Sequence, residues 1–300
     1  MNALPRFALA ASAALFFPGA AFAAPALDTA AIESATGLKG TYDAKENVFK
    51  VSKPRDDLKI TVAGHALSPF QGLTSSAAFT PMGRSTLVMG DTVLLEDEVN
   101  PAMSAALEGG LQVTALHNHF FYDQPKVYFM HIGGMGDAGK LATAVKAMYD
   151  RVAQVRAANS DATSHDAAEL PATSNVSAEP LTAILHARPD AKDGMVKYTF
   201  GRTTRMHGVT VGNQMGVNTW AVFAGSDDNA VVDGDFSMRE EDLQSVLKSM
   251  RASGINVVSI HQHMVQESPH LMFLHHWGKG PATELAMAVR KALDSQRTLK

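Results

Sequence analysis

The second half of this chain repeats the first. Sliding the sequence against itself by 144 residues aligns Thr86 to Asp150 with Ala230 to Asp294 without a gap, at roughly thirty per cent identity. A repeat of this length means that one structural unit is used twice. Any fold or site inferred from one copy must therefore also account for the other.

The first residues have the pattern of a secretory signal peptide. A basic start ending at Arg6 precedes an apolar run over 7–17, and the small residues of "AFAAPA" predict cleavage after Ala23. The apolar run is too short for a membrane span. We therefore predict a signal peptide over 1–23 and an exported protein, periplasmic or secreted, with no membrane anchor after cleavage.

The amino-acid composition excludes several kinds of site and several kinds of binding partner. The 300 residues include no cysteine, which excludes disulfides, thiolate metal sites and lipid attachment to a cysteine. The net charge of −4 comes without any basic run, so the sequence has no electrostatic footprint for nucleic acid or anionic lipid.

Each copy reads as helix, strand, strand, helix, preceded by one or more strands. In the second copy a capping-box pattern at Ser237 opens a helix that ends at Gly254. "INVVSIHQH" and "HLMFLHH" then read as a hairpin, and "ATELAMAVRKALD" as an amphipathic helix. We expect an α+β fold of two tandem duplicated units, each a mixed or antiparallel sheet with a histidine-bearing hairpin flanked by two helices.

The expected boundaries follow from this repeat. The first unit spans 24–150 and the second 195–300. The intervening range 151–194 contains "AANSDATSHDAAELPATSNVSAEP", which lacks apolar periodicity and is typical of an Ala/Ser/Thr-rich linker.

Histidines recur at matching positions in the two hairpins. A His-x-His pair follows the apolar run of the first strand in each copy, and a third histidine lies in the second strand. Strand alternation predicts that the three share one face, and a hairpin centred near Gln124 would place His131 opposite His117. Three imidazoles on one face suit zinc or copper. The predicted metal ligands are His117, His119, His131, His261, His263 and His275.

Several other acidic residues and histidines are assigned supporting roles rather than a place among the metal ligands. Asp123 and Glu267 follow the histidine pairs by four residues and are candidates for a ligand, a partner that orients a ligand, or a general base. Glu96 and Glu240 stand where helices start and are assigned to capping, while Asp91 and Asp235 follow glycines and are assigned to turns. The sequence also contains two histidines without a counterpart in the first copy, which are considered accessory: His270 and His276.

Three hypotheses for function stay open. The first is a metal-binding protein, and the second is a metal-dependent hydrolase or lyase of the cell envelope that uses an open coordination position. The third is an envelope interaction module with structural histidines. A nucleotide-binding loop at "GMGDAG" is excluded, because the second copy reads "GKGPAT" and Leu141 stands where a P-loop requires a hydroxyl.

Longer motifs carry a family resemblance. "PRDDLKITVAG", "MGDTVLLEDEVNPAMSAALEGGLQVTALHNHF" and "YFMHIGGMGD" resemble the LppY/LpqO-like family of exported bacterial proteins. The resemblance extends from about Asp28 to near the C-terminus. It implies an exported protein and brings no assigned activity, so function has to be argued from the site.

Overall fold

A computed structural model describes residues 27–159 and 173–297. The predicted signal peptide at 1–23 lies outside the described residues. The helices are α1 (Thr29–Thr36), α2 (Glu96–Glu108), α3 (Ala138–Ala158), α4 (Ala178–Leu185), α5 (Leu243–Ala252) and α6 (Ala282–Asp294). The strands of the first unit are β1 (Gly40–Asp43), β2 (Val48–Pro54), β3 (Thr61–Val62), β4 (His65–Ala66), β5 (Thr74–Met82), β6 (Ser85–Leu95), β7 (Gln112–His117), β8 (Asp123–Gln124) and β9 (Val127–Gly136). Those of the second unit are β10 (Pro189–Lys192), β11 (Met195–Gly201), β12 (Thr204–Met206), β13 (Val209–Val211), β14 (Asn218–Gly225), β15 (Ala230–Arg239), β16 (Asn256–His261) and β17 (Leu271–Gly280).

One antiparallel sheet runs through both units. Its twelve strands lie in the order β1-β2-β5-β6-β9-β7-β16-β17-β15-β14-β11-β10. Two small sheets accompany it, β4-β3-β8 in the first unit and β12-β13 in the second. The α+β class and the antiparallel sheet are confirmed. The expectation of a separate sheet in each unit is wrong, because β7 pairs with β16 and joins the two halves.

The junction has local two-fold symmetry. Leu116 of β7 pairs with Ile260 of β16, and these are equivalent residues of the two repeats. The flanking hydrogen bonds are reciprocal. The side chain of Asn100 bonds both backbone groups of Val257, while the side chain of Gln244 does the same to Val113. Each unit thus contacts the other through the same surface, as the subunits of an isologous dimer do.

The helices pack against one face of the sheet. Met130 and Ile132 of β9 lie in the large apolar core that also contains the buried residues of the helices. Their neighbour Phe129 belongs to a small separate cluster with Val93 and Leu95. Because alternate residues of a strand point to opposite faces, this second cluster lies on the face away from the helices. No helix among residues 27–159 and 173–297 is long and apolar enough to cross a membrane.

Regular structure enters the range 151–194 that the sequence assigned to a linker. Helix α3 continues to Ala158, because Val152 extends its buried stripe beyond Tyr149. Helix α4 and strand β10 follow, and α4 is held by Leu181 and Leu185 in the core. Residues 160–172 lie outside the described part. At the start of α2, the carboxylate that accepts a backbone hydrogen bond is that of Glu98, from Leu95, rather than that of Glu96.

Candidate metal centre

The predicted histidines meet on the helix-free face. In the first unit the ring of His117 lies 5.2 Å from that of His119 and 5.0 Å from that of His131, between centroids. The equivalent distances around His261 in the second unit are 5.2 Å to His263 and 4.7 Å to His275. Each hairpin therefore brings three imidazoles into contact. Phe129 and Phe273 stack under His119 and His263, with centroids 3.3 and 3.7 Å apart.

The strand register that brings them together differs from the predicted one. His117 stands opposite Phe129, and Ala115 stands opposite His131. A register shift between Val113 and Ala115 marks a β-bulge, and the second unit repeats it between Val257 and Ser259. The expectation that His131 lies opposite His117 is wrong by two residues, because the hairpin is centred near Asp123 rather than Gln124. The two rings still meet, since diagonal neighbours on one face are within reach of long side chains.

A carboxylate completes the cluster of the second unit. Asp235 was predicted to serve a turn, but it lies within β15, is only 3% exposed and stands directly opposite His275. Its Oδ2 atom is 2.9 Å from Nε2 of His263 and its Oδ1 atom 3.5 Å from Nε2 of His261. Asp235, His261 and His263 offer ligand atoms that all lie within 4.8 Å of one another. This group could hold a metal ion.

Hydrogen bonds on the far side of the rings orient the cluster. Nδ1 of His263 lies 3.1 Å from the carbonyl oxygen of Gly216, and Nδ1 of His275 lies 3.3 Å from that of Gly234. A carbonyl oxygen only accepts, so each Nδ1 carries the proton. In the neutral ring Nε2 then has the free lone pair, and on His263 it faces the acceptor oxygen of Asp235. Two acceptors at 2.9 Å repel unless a cation or a second proton lies between them.

The first unit has the equivalent residues on the equivalent strands, but among residues 27–159 and 173–297 only the group of the second unit brings its ligand atoms within 4.8 Å of one another. Asp91, also predicted as a turn residue, lies within β6 opposite His131, and its buried Oδ1 atom has no hydrogen-bond partner in the described protein. Burial lowers the pKa of His119, and the neighbouring His117 and His131 lower it further, against the opposing effect of Asp91. His119 is therefore neutral at neutral pH, with a lone pair to donate.

The family comparison agrees with the duplication. A family described as "Domain of Unknown Function (DUF1259)" matches residues 30–151 and again residues 179–295. The chain belongs to this family. The match brings no assigned activity, and the finer LppY/LpqO-like resemblance stays a prediction.

Other comparisons add little to the DUF1259 assignment. No curated protein matches this chain. A solved structure, "Crystal structure of a trimeric bacterial microcompartment shell protein PduB", matches 86% of this chain and 91% of that chain at 10% identity. Its TM-score of 0.23 is too low to indicate a shared fold.

The acids that follow the histidine pairs in this DUF1259 chain bind their own loops. Asp123 accepts a hydrogen bond from the backbone of Val127 at 2.8 Å, and its other oxygen lies 3.3 Å from Nζ of Lys126. Glu267 accepts from the backbone of Leu271 at 3.0 Å and pairs with Nδ1 of His270 at 2.7 Å. Both carboxylates thus fix the turn that leads into the second hairpin strand.

The two histidines considered accessory lie apart from the triads. His270 is occupied by Glu267 and by the side chain of Gln262. His276 is fully buried on the helix side, where its ring meets that of Phe236 edge-on. Burial lowers the pKa of His276 to about 4, so the ring is neutral and packs as an apolar group.

The carboxylates at 91 and 235 are the residues that sequence reasoning misplaced. A signal for them existed, because both copies retain the dipeptide Gly-Asp before the helix. The glycine suggested a turn. In the structure Gly234 allows close packing within the sheet, since a Cβ atom there would lie 2.2 Å from the carbonyl oxygen of Trp220.

Proposed function

We propose that this protein binds a transition metal ion, zinc or copper(II), at one centre in each repeat. The ligands in the second unit are Asp235, His261 and His263, with His275 beside them. Those in the first unit are the equivalent Asp91, His117, His119 and His131. Export through the predicted signal peptide is part of the same proposal.

The observation that carries the proposal is the convergence of ligand atoms on Asp235. Ligand atoms about 2.0–2.1 Å from a tetrahedral zinc lie roughly 3.3–3.5 Å from one another. The separation of 3.5 Å between Asp235 Oδ1 and His261 Nε2 fits that edge and is long for a hydrogen bond. Neither atom has a hydrogen-bond partner in the described protein, although both are buried. A bound cation would satisfy both.

The donor set limits the choice of ion. Imidazole nitrogen suits zinc and copper, and thiolate sulfur is unavailable in a chain without cysteine. The Nδ1 contacts to Gly216 and Gly234 are the kind of outer hydrogen bond that fixes the tautomer of a metal-binding histidine. Magnesium and calcium prefer sites built from oxygen ligands.

Binding is better supported than hydrolysis or lyase chemistry. A hydrolase would need a general base next to the metal-bound water. The carboxylates considered for that role, Asp123 and Glu267, each accept a backbone hydrogen bond and pair with a basic side chain.

Metal analysis of the full chain, purified without a polyhistidine tag, tests this proposal. After incubation with zinc or copper and dialysis, we expect two ions per chain. His117→Ala and His261→Ala should each lose one ion, while His65→Ala, which changes an exposed histidine outside both clusters, should keep both. Native protein that retains no ion after dialysis and shows no heat on titration with either metal would refute the proposal.

A further inference from the structure

A cavity lies on the helix side of the sheet in the first unit. It has a volume of about 300 Å³ and opens between the sheet and α3. Its walls include the apolar side chains of Val152 and Ala153 and the ring of Tyr149, and it is bounded on the sheet side by Thr92 and Val93 of β6. The volume is at the lower end of the range for small-molecule sites.

The cavity contains a buried hydroxyl without a partner. Tyr149 is 4% exposed, and its phenol oxygen makes no hydrogen bond within the described protein. A buried hydroxyl that lacks a partner costs free energy, and an acceptor group on a bound ligand would offset that cost. The ammonium of Lys53 stands 5.4 Å from the centre of the same ring and makes no ion pair with any described residue.

The neighbouring arginines are engaged elsewhere. All five N–H groups of Arg55 are used, on Asp57, Glu98 and the carbonyl oxygen of Val93. Arg156 pairs with Glu98 through Nε and with Asp97 through Nη2. Lys53 is therefore the cation in the lining that remains for a ligand.

The second repeat shows that this cavity is not a requirement of the fold. Leu293 replaces Tyr149 there, and strand register places Phe200 where Lys53 stands, since Lys53 pairs with Ser75 and Phe200 with the equivalent Thr219. Gln296 replaces Val152, is buried, and accepts a hydrogen bond from Arg202. The second unit thus has neither the phenol nor the lysine of the cavity at the equivalent positions.

We propose that the cavity beside Tyr149 binds a small monocarboxylate with an aromatic or branched apolar body. The apolar part occupies the space between Tyr149, Val152 and Ala153. The carboxylate accepts a hydrogen bond from the Tyr149 hydroxyl and pairs with Lys53. This site is separate from the metal centres, which lie on the opposite face of the sheet.

Calorimetric titration of the full chain with benzoate, phenylacetate and isovalerate tests the proposal. We expect one site per chain for at least one of these acids, and binding at least tenfold weaker for acetate, which lacks the apolar body, and for uncharged benzyl alcohol. Tyr149→Phe, which keeps the ring, should weaken binding several-fold, and Lys53→Met about tenfold. Ala153→Arg, which introduces the residue of the second repeat, should abolish binding.

Matched variants in the second unit serve as controls. Tyr198→Phe removes a hydroxyl that already bonds Thr182 and Ala178, and Lys197→Met removes a lysine that stands over the ring of Trp220. Both should bind the acid as the native chain does. No heat with any of the three acids at millimolar concentration, or unchanged affinity in both Tyr149→Phe and Lys53→Met, would overturn the proposal.

Discussion

Asp235 stands directly opposite His275 in the ladder between β15 and β17, so that carboxylate and ring leave the sheet side by side on one face. The same carboxylate also lies against His261 and His263. It is therefore the residue on which the three rings of the second unit converge, although it is 26 residues away from the nearest of them in sequence.

Replacing this carboxylate should weaken metal binding in one repeat. We expect Asp235→Asn to lower the zinc affinity of the second site at least tenfold, because the amide lacks the charge that holds the cation. Asp233→Asn changes an acid two residues away on the same strand and should leave the affinity unchanged. Competitive titration with a chromogenic chelator measures both; equal affinities would remove Asp235 from the ligand set.

The two centres should lose metal independently. Asp91→Asn should weaken the site of the first unit and leave that of the second intact, so that the number of tightly bound ions falls from two to one. The double variant with Asp235→Asn should hold none tightly. Mass spectrometry under native conditions counts the ions, and loss of both ions from Asp91→Asn alone would indicate one shared centre.

Acid should release the metal and its stabilising effect together. Each ligating imidazole must be neutral, and an ordinary histidine gains its proton near pH ~6.5. The melting temperature with zinc should exceed that without zinc at pH ~7, and the gap should close as the pH falls towards ~5. Because burial lowers the pKa of His119, protonation competes less in the first unit than at an unperturbed histidine. A gap that is constant across this range would contradict histidine ligation.

We expect replacement of Glu267 to lower the stability of the fold without changing the amount of bound metal. Burial raises the pKa of its carboxyl, but hydrogen bonds from the backbone of Leu271 and from His270 outweigh that effect, so the net shift is downward. A lowered pKa means that the carboxylate stabilises the fold above its unfolded value of ~4.3 and that this contribution is lost as pH falls through the folded value. We expect Glu267→Gln to lose about 1–3 kcal/mol of unfolding free energy at neutral pH.

Denaturant unfolding of Glu267→Gln at pH ~7 and below pH ~4 checks this, with the difference from native protein shrinking in acid. Glu46→Gln, in an exposed turn, is the control and should be neutral. The metal content of Glu267→Gln should equal that of native protein. A loss of bound ion would return Glu267 to the metal centre.

Local patterns predicted the hairpins and the helices that flank them, and also that the three histidines of each hairpin share one face. They could not predict the bulge after Val113, because a bulge adds a residue without changing the apolar pattern around it. The pairing of β7 with β16 joins residues 144 positions apart, and the sequence of neither strand indicates which strand it pairs with. Asp235 was missed because the preceding glycine suggested a turn, whereas Asp235 lies within β15 and reaches the histidines through the pairing of β15 with β17.

Leu116 and Ile260 meet at a local two-fold axis inside a single chain. In a homodimer every substitution appears twice, so a change that improves one subunit must also be tolerated by its copy. Covalent fusion removes that constraint. Here one half has a phenol and a lysine beside a cavity while the other has leucine and phenylalanine, and both have the same histidines. In a single chain the two halves can differ. The residues beside the cavity, on the face that carries α3 in one half and α6 in the other, are different, while the histidines on the opposite face are the same in both halves.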